Sequence, residues 1–330
     1  MDERPVLIIG AGYLGRRIAL VWASHSRPVT LYDTSREALM SATEYITDNL
    51  ADYCTWRGTP PGHVCSTSDL RVATTTGRYE GQKAESEVQD CELHSGSRGP
   101  WMAIDCLPES LELKVSVLSE LEHLLPCSCI MASNSSTFET AEMATSLHHP
   151  ERLLNTHYFI PPRNLMVELM SSTYTHKEIF PFLATQMKRV GFIPMTVPPG
   201  IQSHGFIFNR IWAACKRETL AVLHEGVAKP GDIDALFRDF FHASKGPCER
   251  MDEIGLDKVA RAETHYLQQK PNLRKLDADQ PLEWLKKNYV ERGHLGEKTG
   301  DGLFTHEQRK ALKQIHKEAR FPEVEETTGA

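Results

Sequence analysis

Short apolar runs alternate with stretches of helical spacing along the first part of the chain. Pro5 to Ile9 (PVLII) is a continuous run of strand length, and RRIALVWAS after it places apolar residues three and four apart, as one face of a helix does. PVTLYD, ending at Asp33, reads as a second strand, followed by an amphipathic helix over Thr34 to Asn49. The stretch from Thr55 to Ser66, with Gly58, Pro60, Pro61 and Gly62, reads as a loop. DLRVATTT, from Asp69, is expected as a third strand, and Gly77 to Pro100, polar and without period, as a surface excursion. WMAIDC then reads as a fourth strand, Glu109 to Leu125 as an amphipathic helix, and CIMAS, from Cys129, as another buried strand. This alternation predicts an α/β fold with a parallel doubly wound sheet, which binds ligands at the carboxyl ends of its strands. Pro198-Pro199-Gly200 is the expected hinge, and after it the pattern is almost wholly helical, with a charged helix and an acidic, frayed end after Phe304.

At 330 residues the chain is long enough for two domains with full-sized cores, placed at 1–200 and 201–330. The formal net charge of -7, without a basic stripe interleaved with aromatics, argues against nucleic acid as the main partner. Eight cysteines occur without a CxxC pair or a zinc-ligand spacing, so no metal is expected. Cys127 and Cys129 read as small core residues. No charged-then-apolar leader opens the chain, and no apolar run reaches the ~20 residues that span a bilayer. The expectation is a cytoplasmic protein with reduced thiols, away from membranes. The C-terminal Thr-Gly-Ala is not a peroxisomal address.

Between the first strand and the first helix lie Gly10, Gly12, Tyr13, Leu14 and Gly15, in the pattern GAGYLG. A first glycine permits the tight turn, a second lets the backbone approach a pyrophosphate, and a third lets the helix pack closely; the helix N-terminus then faces the phosphates. Asp33 follows 23 residues after Gly10, close to the spacing at which a carboxylate accepts bonds from an adenosine ribose. An acid there repels a 2′-phosphate and favours NAD over NADP, although Arg36 tempers that preference. A plainer reading of Asp33, as a cap for the helix starting at Ser35, is compatible with the cofactor role. The N-terminal domain therefore reads as Rossmann-type and the C-terminal domain as all-helical.

A base, a carboxylate and a hydroxyl cluster lie close together between Cys129 and Met170: His157, Glu168, and the turn Ser133 to Thr137. With IDCLPESLELK before them, THYFIPP and LMVEL around His157 and Glu168, then GFIFNR, EGVAKPGDID and GEKTGDGLF, the motifs stand in the order of a known group. Over Pro5 to about Phe304 the chain resembles the 3-hydroxyacyl-CoA dehydrogenase family, which includes the L-gulonate 3-dehydrogenase or lambda-crystallin branch. The resemblance implies His157 as general base, Glu168 as its carboxylate partner, and Ser136 and Asn209 as ligands of the substrate oxygens. Oxidising a secondary alcohol requires such a base, and histidine exchanges protons near neutral pH. The resemblance also places Glu109 and Lys114 near the nicotinamide ribose, with Asn134 and Ser133 at a strand end facing it, and implies a homodimer through the helical domain. Plainer readings stand beside these: a core histidine for His157, an outward strand residue for Glu168, a helix cap for Ser136, a first-turn acid for Glu109 and a solvated helix face for Lys114.

Three departures from the family pattern bear on the substrate. Ile160 stands where an asparagine commonly precedes the proline, and the interval to Glu168 is one residue shorter. A lysine-rich hairpin that acyl-CoA members turn towards the CoA phosphates is missing over Asp52 to Ser66, where Arg57 is the one cation. An arginine of L-gulonate-type members corresponds to the neighbourhood of Phe241, so a carboxylate clamp is absent unless Arg238 or Lys245 replaces it. The resemblance thus implies an NAD-dependent oxidoreductase acting on a small molecule, a 3-hydroxyacyl-CoA thioester or a related 3-hydroxy acid. Alternatives are a reductase of a biosynthetic ketone or imine on the same site, and a non-catalytic, crystallin-like NAD-binding protein.

Overall fold

A computed structural model describes residues 4–75, 99–136, 138–201, 203–269 and 279–318. The chain divides into two compact units, Met1–Ile207 and Phe208–Ala330. In the first unit the order is β1 (Val6–Ile9), α1 (Gly15–Ala23), β2 (Val29–Tyr32), α2 (Arg36–Arg57), β3 (Val64–Thr67), α3 (Leu70–Thr75), β4 (Met102–Asp105), α4 (Leu111–Leu124), β5 (Ile130–Ser133), α5 (Thr140–Ala144), β6 (Leu153–Tyr158), β7 (Met166–Ser171), α6 (Ile179–Arg189) and β8 (Ile193–Thr196). The eight strands form one sheet in the order β3-β2-β1-β4-β5-β6-β7-β8. All pairs are parallel except β6 with β7. This is a Rossmann-type doubly wound sheet, whose strand order reverses between β1 and β4.

Both faces of the sheet are covered, which explains why its inner strands are apolar without alternation. Val6 and Ile8 of β1 enter a core with residues of α1, α2 and α6, while Leu7 and Ile9 enter another with residues of α4 and α5. The glycine turn is set by close packing. Gly10 has φ +103°, and a Cβ on Gly15 would lie 1.9 Å from the Gly10 carbonyl oxygen, so nothing larger than hydrogen fits where α1 begins.

Four sequence expectations are corrected. The third strand is Val64–Thr67, at the end of the stretch read as a loop, and DLRVATTT instead supplies α3. Asp69 explains this: its Oδ1 accepts from the Arg71 and Val72 N–H groups and so opens a helix. The second helix runs on to Arg57, where Gly58 ends it at φ +65°. The sheet is not purely parallel, because the proline turn after Tyr158 returns the chain as antiparallel β7. Cys127 is disulfide-bonded, against the expectation of reduced thiols, whereas Cys54, Cys65, Cys106, Cys129, Cys215 and Cys248 are free. The surface excursion read over 77–100 falls, up to residue 98, outside the described residues, as does the tail after 318.

The second unit is helical: α7 (Phe208–His224), α8 (Pro230–Phe241), α9 (Pro247–Ile254), α10 (Leu256–Gln269), α11 (Asp279–Leu285) and α12 (His306–Glu318). Leu220, Met251, Leu256, Leu285 and Phe304 belong to its core. Two buried carboxylates tie its turns: Asp234 accepts from the Cys248 and Glu249 N–H groups, and Asp252 from those of Leu303 and Phe304 and from Arg309. Burial pushes both carboxyls above the usual range, and these donors oppose the shift. No helix among the described residues is long and apolar enough to cross a membrane.

The glycine turn supplies a direct test of this packing. Gly15→Ala should cost about 3 kcal/mol, the upper end for overpacking, whereas Gly12→Ala, whose Cβ meets nothing within 4 Å, should stay within about 0.5 kcal/mol of the parent. Thermal unfolding of the two variants checks the difference.

Candidate active site

The central pair follows from strand register. His157 and Glu168 are directly opposed in the antiparallel β6–β7 ladder, so both side chains leave the same face of the sheet. His157 Nδ1 lies 2.7 Å from Glu168 Oε2, and the two residues are only 7% and 3% exposed. An ionised carboxylate only accepts, so in a neutral imidazole the ring nitrogen facing it carries the hydrogen and the lone pair is on Nε2. Phe206 stacks on the imidazole with centroids 4.9 Å apart and planes 19° from parallel, and Phe159 lies 4.9 Å away on a tilted plane. Glu168 Oε1 accepts from the Ile207 N–H at 3.0 Å. The carboxylate is thus held from two sides, and the ring is oriented by both a hydrogen bond and a stack.

A second constellation lies at the carboxyl ends of β4 and β5. Asp105, the last residue of β4, is 1% exposed and accepts from Lys114 Nζ, the Leu107 N–H and Ser133 Oγ. Lys114 is itself 1% exposed; it donates also to the Leu107 carbonyl at 3.2 Å and lies 3.6 Å from Glu109 Oε2. The solvated-face reading of Lys114 is therefore excluded by burial. Glu109 precedes α4, whose cap is Ser110, and accepts from Ser135 Oγ, the Ser136 N–H and Ser136 Oγ. Ser136 caps no helix: Glu139 and Glu142 form the capping box of α5, and Ser135 Oγ accepts from the Phe138 N–H. Asn134 joins three strands, its N–H donating to the Asp105 carbonyl and its Oδ1 accepting from the Tyr158 N–H at 2.8 Å. Burial raises the Cys106 thiol, and neighbouring Asp105 adds to this, so Cys106 stays a thiol and not a thiolate nucleophile.

The third part is the glycine turn. Asp33 Oδ2 accepts from the Ala11 N–H and Oδ1 from the Ser35 N–H, each at 2.8 Å. The cap of α2 is Ser35, through Ala38, and not Asp33. Among the described residues the N–H groups of Gly12, Tyr13 and Leu14 have no protein partner, which leaves a row of donors at the start of α1. Tyr13 is exposed, and Arg17 packs over its ring. No group of three or more metal-ligating side chains occurs among the described residues.

Of the residues singled out in the sequence, His157 and Glu168 meet, and Glu109, Ser136, Lys114 and Asn134 share the strand-end network. Asn209 belongs to the second unit, where it is half-buried near the start of α7. Sequence reasoning missed Asp105, although a lone acid ending the apolar run WMAID was a usable signal. Phe206 was also missed, because GFIFNR drew attention to Asn209.

The model of the 3-hydroxyacyl-CoA dehydrogenase NAD binding domain matches residues 5–199, and that of the C-terminal domain of the same family matches residues 205–306. The chain is 40% identical over 154 residues, 46% of its length, to a 3-hydroxyacyl-CoA dehydrogenase-like protein LAM1 of Cochliobolus heterostrophus, and spans 31% of that protein. It is 30% identical over 78% of its length to a 3-hydroxyadipyl-CoA dehydrogenase of Escherichia coli, half of whose length it spans. The crystal structure of (S)-3-hydroxybutyryl-CoA dehydrogenase PaaH1 from Ralstonia eutropha has a TM-score of 0.75 at 23% identity, covering 92% of this chain and 99% of that one, a likeness of fold.

Glu168→Ala removes the acceptor for both His157 Nδ1 and the Ile207 N–H. A loss of about 1–3 kcal/mol is expected, with neutral His157 shifting from the Nδ1–H tautomer towards Nε2–H, read by ¹⁵N NMR of the ring.

Proposed function

Because the chain belongs to the 3-hydroxyacyl-CoA dehydrogenase family by both of its domains, we propose that it is an NAD-dependent oxidoreductase acting at the 3-position of a 3-hydroxyacyl thioester or a related 3-hydroxy compound. The observation that carries this reading is the buried His157–Glu168 pair, which leaves Nε2 as the nitrogen able to take a proton. His157 removes the hydroxyl proton in the oxidative direction and returns it in the reductive one. Glu168 holds the ring and offsets the charge of the imidazolium. Ser136 and Asn209 are assigned to the substrate oxygens.

The glycine turn fits a dinucleotide on its own geometry. Gly12 faces open space, the Gly12, Tyr13 and Leu14 N–H groups lack partners, and Asp33 retains lone pairs beyond its two backbone bonds. Gly10, Gly12, Tyr13, Leu14 and Gly15 would cradle the phosphates and Asp33 a ribose, with Glu109 and Asn134 towards the nicotinamide end. The Asp33 carboxylate favours NAD over NADP. Bound there, the nicotinamide supplies the hydride acceptor or donor.

Of the two cations that could replace the carboxylate clamp, Lys245 pairs with Glu249 and Glu253, whereas Arg238 Nη1 lies 3.6 Å from Glu249 and makes no hydrogen bond among the described residues. The engagement of Lys245 supports a thioester over a free hydroxy acid. Arg57 supports no phosphate contact, since it packs against Gly191. Ile160, 40% exposed three residues beyond His157, supports a second reading in which an apolar ketone is reduced on the same site. Leu236, Phe240 and Phe241, exposed on α8, support a homodimer built through the helical unit. Free thiols at six of the described cysteines support a reducing, cytoplasmic setting, with Cys127 as the exception.

An NADH-oxidation screen over acetoacetyl-CoA, free 3-keto acids and apolar ketones tests the proposal; turnover is expected with the thioester, and activity with none would refute it. In the same assays Gly12→Ala should weaken NADH binding at least about tenfold, an added Cβ standing where the turn meets the phosphates.

A further inference from the structure

Among the described residues of the first unit, Asp105 is a heavily engaged carboxylate with no role assigned to it. Its Oδ1 accepts from Lys114 Nζ at 3.2 Å and from the Leu107 N–H at 2.8 Å, and its Oδ2 from Lys114 Nζ at 3.0 Å and from Ser133 Oγ at 2.7 Å. Four contacts from three donor groups occupy the roughly four lone-pair sites of a carboxylate. With 1% exposure as well, Asp105 has neither the access nor a free lone pair for a ligand. Lys114 is equally enclosed, and its ammonium already serves Asp105 and the Leu107 carbonyl. A buried ion pair of this kind seldom adds stability over an apolar pair of the same shape, so its value lies in what it fixes.

What it fixes is Glu109. That side chain is 38% exposed, has Lys114 Nζ at 3.6 Å from Oε2, and gathers the Ser135 and Ser136 hydroxyls and the Ser136 N–H. Two carboxylates thus compete for one ammonium, and the buried one holds it at the shorter distances. We propose that Asp105 is a positioning residue that, by retaining Lys114, keeps Glu109 on the Ser135–Ser136 turn. The inference rests on the dehydrogenase reading of the site, in which Glu109 faces the nicotinamide end and Ser136 the substrate.

A specific order of effects follows. In Asp105→Asn the ammonium loses its counter-ion and turns to the other carboxylate, which draws Glu109 off the serines. In Asp105→Asn/Lys114→Met no ammonium remains to capture Glu109, and no unpaired charge is buried. NADH affinity by fluorescence titration, and kcat/KM with acetoacetyl-CoA, should both fall about tenfold in the single variant and only about threefold in the double variant, a coupling ordinary for side chains in contact. Wild-type NADH affinity in Asp105→Asn, or a double variant worse than the single one, would overturn the proposal. Should Asp105→Asn fail to fold, the double variant decides: about threefold weaker NADH binding supports the role, and wild-type affinity overturns it. Failure of the wild type to reduce acetoacetyl-CoA, with the order of NADH affinities as expected, would refute the thioester reading and leave this one standing.

Discussion

The hydrogen bond from His157 to Glu168 depends on one topological event, the reversal of an otherwise parallel sheet between β6 and β7. Parallel neighbours joined by crossovers would separate the two residues by a dozen or more positions. An antiparallel return puts them opposite each other only 11 residues apart, where a short side chain on each strand closes the gap. Burial then makes the pair obligatory: an ionised glutamate in the core without donors is costly, and here the imidazole and the Ile207 N–H supply them. Phe206 adds the second constraint by lying flat on the ring.

The strand-end network obeys the same logic with a different cation. Asp105 and Ser133, at the ends of adjacent strands, point at one another because β4 and β5 are parallel and in register, Asp105 against Ser133. Asn134 carries the linkage on to Tyr158, one residue beyond His157, so the hydroxyl turn and the imidazole are connected through the Asn134 side-chain oxygen and the Tyr158 N–H. A displacement of either cluster is therefore felt by the other within a few bonds. The candidate site is assembled from strand ends that the sheet holds in register.

Much of this was legible in the chain before any coordinates. The glycine turn declared itself because a strand that turns directly into a helix needs glycines at its close contacts, and Gly10 and Gly15 show such contacts. His157 and Glu168 were legible as a base and an acid flanking a proline turn. What was not legible came from competition between local signals. DLRVATTT has the β-branched composition of a strand, yet the Asp69 side chain satisfies the first N–H groups of a helix and wins. Lys114 has the charge spacing of a solvated helix face, but a buried carboxylate 9 residues earlier draws it inside. That pairing is a tertiary contact, which periodicity along one helix does not contain.

In the proposed reaction His157 moves the proton while the residues around it bind and orient. The most direct measurement is single-turnover oxidation of enzyme-bound NADH by acetoacetyl-CoA in His157→Asn beside the parent protein, with NADH affinity determined on the same samples. Unchanged affinity and a rate lower by on the order of 100- to 10,000-fold are expected for loss of a general acid–base group. A variant that binds NADH and turns over at the parent rate would rule out His157 as the proton-transferring group.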